Sequence, residues 1–363
     1  MNSLSQRAEM LFERYEKHIS SFALVFGFIF DSLTLQRIDL LFENIVIASY
    51  LIISGGSIAL LNYYEEHPTE RVFLVKVKNL LPLFIQFAFG GLFSAFFIFY
   101  TRGASFSSSW PFILILLFLL VGNEFFRKYY QRLTFQVSIY FVAIFSFFIF
   151  FIPVILKTMG ALIFVLSGLV SLLFIHLFSK ILLKVVPNLY LESKNDLRNA
   201  VLSIFIIINI LYFTNLIPPI PLALKEVGVY NLVSKEGDQY VLIGEEERWY
   251  EKLNILSAKV ARVSDAGSLY VFSSVFAPTD LDTTIVHNWQ YFDEEKNKWV
   301  SATKIPFSIK GGRKHGYRGF SKKGNLFEGK WRVDVETERG QIIGRVRFDV
   351  ETRPRNRLLK QIL

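Results

Sequence analysis

The chain has 363 residues, of which 52% are hydrophobic and 20% are charged, and its net charge is +9. The apolar residues come in blocks of roughly twenty, the length that a helix needs to cross a hydrocarbon core ~30 Å thick. This pattern excludes a soluble enzyme, a disordered chain and a coiled coil. The chain has no cysteine, which also excludes disulfides, thiolate metal sites and cysteine nucleophiles.

Seven apolar segments predict seven membrane-spanning helices, because a backbone in lipid must satisfy its own hydrogen bonds. The segments are Ile19–Leu35, Leu40–Leu61, Leu80–Tyr100, Trp110–Phe126, Phe135–Leu156, Ala161–Leu183 and Ala200–Leu222. Three prolines at the end of the last segment then stop the helix. The chain is therefore predicted to be a membrane all-α bundle over residues 1–222, followed by an all-β, sandwich-like domain over residues 223–363.

The basic residues of the loops alternate from one side of the membrane to the other. Thirteen Lys and Arg lie in every other loop, counted from the N-terminus, against three in the remaining loops. Since cytoplasmic loops carry the excess of positive charge, the N-terminus is predicted to be cytoplasmic and residues after Leu222 to lie outside. There, the 16 Lys and Arg of residues 301–363 outnumber 6 Asp and Glu. We expect this surplus to meet anionic headgroups rather than nucleic acid.

Short alternating runs of apolar and polar residues after residue 222 predict β-strands. Two of them flank Glu338–Gln341, a pattern typical of a hairpin. Closing the hairpin there places Asp334 beside Arg345 and Lys330 beside Asp349, on a solvated face. The other predicted strands are Ser268–Phe276, Thr284–Phe292 and Trp299–Ile309, with weaker ones near Val227–Val233 and Gln239–Ile243. About seven strands in this length favour an antiparallel sandwich.

Several short motifs also resemble a known family. They are His287–Tyr291, Gly311–Arg313, Gly316–Gly319 and Gly329–Val333, together with Gly27–Asp31 and Ser109–Pro111 in the membrane part. The first four are similar to domain-of-unknown-function 2914, a bacterial C-terminal module, and the last two to the region that precedes it in many members. The resemblance implies a bacterial inner-membrane protein. It carries over no substrate, cofactor or catalytic residue.

The segment Gly311–Gly324 combines glycines with basic and aromatic residues. Its candidate ligand-binding residues are Arg313, Lys314, His315, Tyr317, Arg318, Lys322 and Lys323. Glycines let a backbone approach a ligand closely, and arginines fork onto phosphate or carboxylate oxygens. One interpretation is a binding or assembly site for an anionic lipid headgroup, an envelope polymer or an exported protein. The other is an exposed hairpin loop whose charges are solvated or meet the acidic residues of 226–300.

Polar residues within the predicted spans suggest a second function. The candidates are Asp31, Arg37, Asp39 and Glu43 around the first outward hairpin, and His176 in the sixth span. Ionisable groups at membrane depth are costly and often mark ion or proton pathways, although groups near helix ends also pair with each other. The alternatives are therefore a transporter or channel with the β-domain as a lid, or a membrane-embedded transferase on lipid-linked substrates. No catalytic pair supports the transferase.

Histidines and aromatic residues of the β-domain are the remaining candidates for ligand binding. His287 and His315 lack a nearby carboxylate at ligand spacing, so we expect no metal and no cofactor. Trp289, Tyr291, Trp299 and Trp331 either form a stacking platform for sugars or pack in the core. The register of Trp289 and Trp331 with aliphatic neighbours favours the core.

Overall fold

A computed structural model describes most of the chain. The described residues are 28–35, 40–68, 71–103, 106–125, 132–219, 221–237, 239–245, 259–262, 267–278, 280–313, 316–351 and 358–363. They form two compact units, one within Met1–Thr101, Pro111–Leu156 and Gly160–Thr214, the other within Arg102–Trp110, Lys157–Met159 and Asn215–Leu363. The predicted domain boundary after residue 222 stays a prediction.

The N-terminal part is helical. Its helices are α1 (28–34), α2 (Leu41–Glu66), α3 (Val72–Gly103), α4 (Phe106–Phe125), α5 (Leu133–Leu156), α6 (Ala161–Val185) and α7 (Pro187–Phe213). Five of them contain a stretch long and apolar enough to cross a membrane, namely Phe42–Glu66, Leu80–Thr101, Leu133–Leu156, Ala161–Val185 and Pro187–Phe213. These stretches coincide with five of the seven predicted spans and support a membrane region.

The structure supports the other two predicted spans less fully. Helix α4 has a shorter apolar stretch, Ser109–Asn123, and most of the predicted span Ile19–Leu35 lies outside the described residues. The number of seven crossings therefore stays a prediction. Helix α7 differs from its predicted bounds, because it begins at Pro187, whose fixed φ suits the first helical position, and ends at Phe213.

Helix α5 is the most buried helix in the described part of the first unit, and it packs against α2, α6 and α7. Asn62 of α2 donates a buried hydrogen bond to Gln136 of α5, with Nδ2 2.6 Å from Oε1. One face of α2 approaches α5 closely because Gly55 has no side chain. A Cβ there would lie 2.5 Å from the hydroxyl of Tyr140.

The second unit is rich in β-strands. They are β1 (Ala223–Tyr230), β2 (Leu232–Glu236), β3 (Gln239–Glu245), β4 (Lys259–Arg262), β5 (Leu269–Phe276), β6 (Asp282–Asp293), β7 (Lys298–Lys310), β8 (Tyr317–Lys323), β9 (Gly329–Thr337), β10 (Ile342–Glu351) and β11 (Leu358–Ile362). Three sheets have the strand orders β1-β5-β8, β4-β10-β9-β6-β7 and β11-β3-β2. All described pairings are antiparallel except that of β4 with β10.

Two of these sheets share an apolar core. Leu269 and Val271 of β5 cluster with Trp289, Trp331 and Phe348 of the five-stranded sheet. All five side chains are buried, with Trp289 and Phe348 fully so. The core position predicted for Trp289 and Trp331 is confirmed.

The predicted hairpin is confirmed, with a difference in its charged face. Asp334 pairs in register with Arg345, and Lys330 with Asp349, around a turn that Gly340 makes at φ +80°. The face was expected to be solvated, but Asp334 is only 2% exposed. The long side chains of neighbouring residues on the same face cover it.

Strand β8 is a second difference from the sequence-based expectation. Residues 317–323 were expected in a glycine-rich loop, yet they form a strand that pairs with β5. Gly319 fits this strand because the Phe307 ring lies against it; a Cβ would be 2.6 Å from that ring. The glycine therefore makes room for a neighbouring side chain here.

Candidate functional site

The predicted basic segment divides between a turn and strand β8. Arg313 is exposed in the turn after β7, while Tyr317 and Arg318 begin β8. Side chains alternate along a strand, so Arg318 shares one face of β8 with Phe320 and Lys322. Lys314 and His315 lie outside the described residues.

Aromatic rings organise the basic side chains of this segment. The Arg313 guanidinium lies over the Tyr317 ring, 4.7 Å from its centre, and the Lys322 ammonium is 5.7 Å from the centre of the Tyr270 ring. Phe320, on the same face of β8 as Lys322, is 37% exposed. The Phe320 ring contacts Tyr270 and Tyr240 at centroid distances of 6.2 and 6.3 Å. We call Arg313, Arg318, Phe320 and Lys322, with the rings of Tyr240, Tyr270 and Tyr317, the basic–aromatic cluster.

Tyr240 of β3 connects the two arginines of the cluster. Its hydroxyl donates a 3.0 Å hydrogen bond to the Arg318 carbonyl. Burial raises the pKa of Tyr240, and the nearby charges of Arg313 and Arg318 partly offset that rise. The Tyr240 hydroxyl thus holds β3 against the backbone of β8 at Arg318.

The cations of the cluster are not neutralised by carboxylates. Within the part of the chain that the structure describes, Arg313, Arg318 and Lys322 form no ion pair. They do not pair with the described acidic residues of 226–300, although the sequence allowed such pairing; the other acidic residues of that segment lie outside the described residues. Unpaired cations held beside aromatic rings suit an anionic ligand.

Lys323 does not join the cluster. Its ammonium instead donates a 2.8 Å hydrogen bond to the Thr303 hydroxyl of β7. Of the seven residues that the sequence nominated, the structure therefore brings Arg313, Tyr317, Arg318 and Lys322 together.

His287 is part of the core. It is fully buried, and its ring nitrogens lie 2.8 Å from the hydroxyls of Ser273 and Ser321. Ser321 also accepts a 2.9 Å hydrogen bond from the Trp289 indole. Burial lowers the pKa of His287 to about 3. This neutral imidazole joins strands of two sheets, and the described residues contain no group of three or more metal-ligating side chains.

The outer face of the five-stranded sheet carries a second set of charges, which the sequence analysis did not nominate. The Gln290 amide nitrogen is 3.2 Å from Asp334 Oδ2, and Arg332 Nη2 donates a 2.7 Å hydrogen bond to Gln290 Oε1. The Arg332 guanidinium also stacks on Trp299, 4.4 Å from the ring centre. We call Arg332, Arg345 and Arg347, with these partners, the arginine face. The alternation of charged and apolar residues along β9 and β10 is the sequence pattern that could have predicted this face.

The intramembrane candidates are only partly described. Asp31 of α1 is half-buried beside Ser94 of α3 and Tyr50 of α2. Glu43 is buried in α2, and no described polar group hydrogen-bonds its Oε2. His176 is exposed on α6. Arg37 and Asp39 lie outside the described residues.

A comparison with protein-family models agrees with the family resemblance that the sequence motifs indicated. Residues 282–350, from β6 to β10, match the model of a family described as a protein of unknown function (DUF2914). The resemblance is thereby confirmed for this segment, which contains most of the basic–aromatic cluster and the whole arginine face. No curated protein matches the chain.

A search of solved structures gives a weak similarity. The chain is similar to the Pseudomonas fluorescens alkylpurine DNA glycosylase AlkC bound to DNA containing an abasic site analog, with 11% sequence identity and a TM-score of 0.20. The similarity covers 85% of this chain and 98% of that chain. A TM-score this low supports no statement about fold or function.

Proposed function

We propose that this protein is a multi-pass protein of the bacterial cytoplasmic membrane whose C-terminal β-sandwich binds an anionic envelope component or a partner protein. Arg313 and Arg318 make the contact, assisted by Lys322. The N-terminus is cytoplasmic and the β-domain lies on the outer side. Five apolar helices and the DUF2914 segment support the membrane part of this proposal.

The topology part of the proposal rests on the alternation of loop charges. A fusion at Leu363 to one reporter enzyme active only outside the cytoplasm, and to another active only inside, tests it. Activity of the outside reporter is expected. Activity of the inside reporter would mean an even number of crossings, which would overturn the proposed side of the β-domain.

The observation that carries the binding proposal is the basic–aromatic cluster. In the part of the chain that the structure describes, its three cations have no carboxylate partner, and two of them, Arg318 and Lys322, flank the exposed Phe320 on one face of β8. A guanidinium that has no internal partner remains available for bidentate contact with phosphate or carboxylate oxygens. The exposed Phe320 ring adds apolar contact area beside the charges.

Removal of both arginines tests the binding role. We expect Arg313→Ala with Arg318→Ala to weaken binding of the full-length, detergent-purified chain to phosphatidylglycerol vesicles or polyphosphate by about a hundredfold, roughly tenfold per charged contact. The matched control removes two exposed lysines of the same unit, Lys235→Ala with Lys298→Ala. Equal losses in the two variants would reduce the effect to net charge and contradict the proposal.

A second candidate function, a transporter or channel with the β-domain as a lid, is favoured by Asp31. A half-buried carboxylate beside Ser94 and Tyr50 in a helical membrane unit is a candidate ion or proton site. Asp31→Asn combined with Glu43→Gln is expected to abolish such flux. Unchanged flux and unchanged growth of cells with this variant would exclude the candidate.

A further inference from the structure

Two arginines face each other directly across neighbouring strands of the five-stranded sheet. Arg332 of β9 and Arg347 of β10 are partners in the antiparallel register. Opposite residues of such a pair project from the same face of the sheet, with their Cβ atoms about 5 Å apart. Like charges at this position are destabilising. The arrangement therefore requires either compensation within the fold or a ligand.

The fold compensates these charges incompletely. Two guanidinium groups, those of Arg332 and Arg345, share the carboxylate of Asp334, and Arg347 adds a third cation opposite Arg332. Arg345 holds that carboxylate through a bidentate ion pair, while Arg332 Nε remains 4.0 Å from it.

The neighbouring carboxylate of Glu336 has a partner of its own. Glu336 is paired with Lys304, whose ammonium is 3.1 Å from Oε1, and Asp349 stands opposite Lys330. Arg347 forms no ion pair with any residue that the structure describes.

Arg332 is held in a fixed position next to this surplus charge. Its Nε and Nη2 both donate to Gln290 Oε1, at 3.0 and 2.7 Å, and the guanidinium stacks on Trp299. Burial lowers its pKa to about 10, and the charges of Arg345 and Arg347 contribute to that fall. A cation whose charge is disfavoured by its surroundings is stabilised by an incoming anion.

We propose that the outer face of the five-stranded sheet binds a phosphate group between Arg332 and Arg347. The partly buried, stacked Arg332 gives the site its position, and the exposed Arg347 closes on the ligand. A doubly negative phosphate matches the two guanidinium charges that Asp334 leaves uncompensated. This site is separate from the basic–aromatic cluster, because it uses other residues on another sheet.

Amide hydrogen exchange of residues 329–351 in the full-length, detergent-solubilised chain tests the site. Inorganic phosphate at ten times its dissociation constant is expected to slow exchange about tenfold, since a ligand stabilises the state that binds it. Arg347→Gln should abolish this response. Without phosphate, the same variant should exchange about twofold more slowly than the native chain, because the repulsion of Arg332 is removed.

Two further variants make the result specific. Lys310→Gln removes an exposed cation from the far end of the same sheet and should keep the full response. Arg313→Ala with Arg318→Ala should also keep it, so this proposal and the binding role of the basic–aromatic cluster fail independently. An equal response of the native chain and Arg347→Gln, or no response of the native chain, would overturn the proposal. So would faster exchange of Arg347→Gln without phosphate, because Arg347 would then be stabilising.

Vesicles distinguish the two sources of such a phosphate. Phosphatidic acid in phosphatidylcholine vesicles presents the group as a lipid headgroup, and inorganic phosphate presents it free. Slower exchange with these vesicles, at a lipid concentration where phosphatidylcholine alone has no effect, would assign the site to a headgroup. A response to inorganic phosphate alone would assign it to a soluble phosphate compound.

Discussion

The Asp334 carboxylate and the Arg345 guanidinium form a bidentate ion pair across the β9–β10 hairpin. Arg345 Nη2 lies 2.7 Å from Oδ2, and Nε bonds to Oδ1. The side chains are only 3% and 13% exposed. Since neither charge has free access to water, each contributes to the solvation of the other.

Asp334→Asn should therefore destabilise the hairpin strongly. The amide keeps the size of the carboxylate but removes the negative charge from a buried bidentate ion pair, at a cost of about 3 kcal/mol. Amide exchange of residues 329–351 in the full-length chain measures the loss. Asp349→Asn is the matched control, because Asp349 is half-buried and faces the exposed Lys330. A loss above about 1 kcal/mol in this control would contradict the role of burial.

The sequence predicted this ion pair but not its burial, for a physical reason. Register follows from the turn and from the alternation of side chains, and both are local. The burial of Asp334 depends on Arg332 and on Gln290 of β6, a strand that lies beside β9 in the sheet but is distant in the chain, and that neighbourhood is set by the sheet order. Strand β8 was missed for a similar reason. Glycine is typical of turns, and the sequence does not show that the Phe307 ring packs against Gly319 and requires a glycine there.

In the membrane part, too, the sequence predicted the features that depend on nearby residues and missed others. Hydrophobic length alone predicted the apolar helices, because each satisfies its own backbone. The start of α7 at Pro187 was missed, since the polar residues that follow carry no hydrophobic signal. Within the candidate site, the sequence found Arg313 and Arg318 from composition. It did not find Arg332 and Arg347, whose opposition exists only after β9 and β10 pair.

His287 should make the stability of the β-rich unit depend on pH. Its pKa is about 3 in the folded chain, against an ordinary value of 6.5. Below pH 6.5 the unfolded chain gains a proton that the folded chain does not, so stability falls as pH falls. The expected slope approaches 1.4 kcal/mol per pH unit, or about 2 kcal/mol between pH 6.5 and 5.

Urea unfolding of the full-length chain, followed by tryptophan fluorescence at pH 7.5, 6.5 and 5.5, measures this dependence. His287→Gln should flatten it over that interval. His67→Gln is the control, since His67 is exposed at the end of α2 and should leave the slope unchanged. The same slope in His287→Gln as in the native chain would show that other groups are responsible.

Glu66 at the end of α2 should stabilise the first turn of α7. Its Oε1 accepts hydrogen bonds from the backbone and side-chain nitrogens of Asn188, at 3.2 and 2.9 Å, and Oε2 accepts one from the Leu189 backbone at 3.2 Å. A carboxylate at this position satisfies free amides and interacts favourably with the helix dipole.

Replacement of Glu66 tests the cap. We expect Glu66→Ala to cost about 1 kcal/mol locally, as loss of a helix cap does, and to speed exchange of the Asn188 and Leu189 amides about fivefold. Glu66→Gln, which keeps one acceptor oxygen, should have an intermediate effect. Glu65→Gln is the control for charge alone. An equal effect of this neighbour would argue against the specific contact with α7.

Gly55 and Gly56 offer adjacent positions with opposite expected responses to alanine. At Gly55 a Cβ would lie 2.5 Å from the Tyr140 hydroxyl oxygen and 2.9 Å from the ring carbon that bears it, so α2 and α5 would have to separate. At Gly56 nothing lies within 4 Å of such a Cβ. We expect Gly55→Ala to lower the thermal unfolding midpoint of the full-length chain. Gly56→Ala should raise it slightly, because alanine favours a helix by about 1 kcal/mol over glycine.

The clash at Gly55 has its own test by rescue. Tyr140→Phe removes the nearest atom that the new Cβ would meet, so it should restore part of the stability lost in Gly55→Ala. The two substitutions should therefore be non-additive, as expected for residues in contact. Additive effects in the double variant, or equal midpoints for Gly55→Ala and Gly56→Ala, would mean that α2 does not approach α5 at this position.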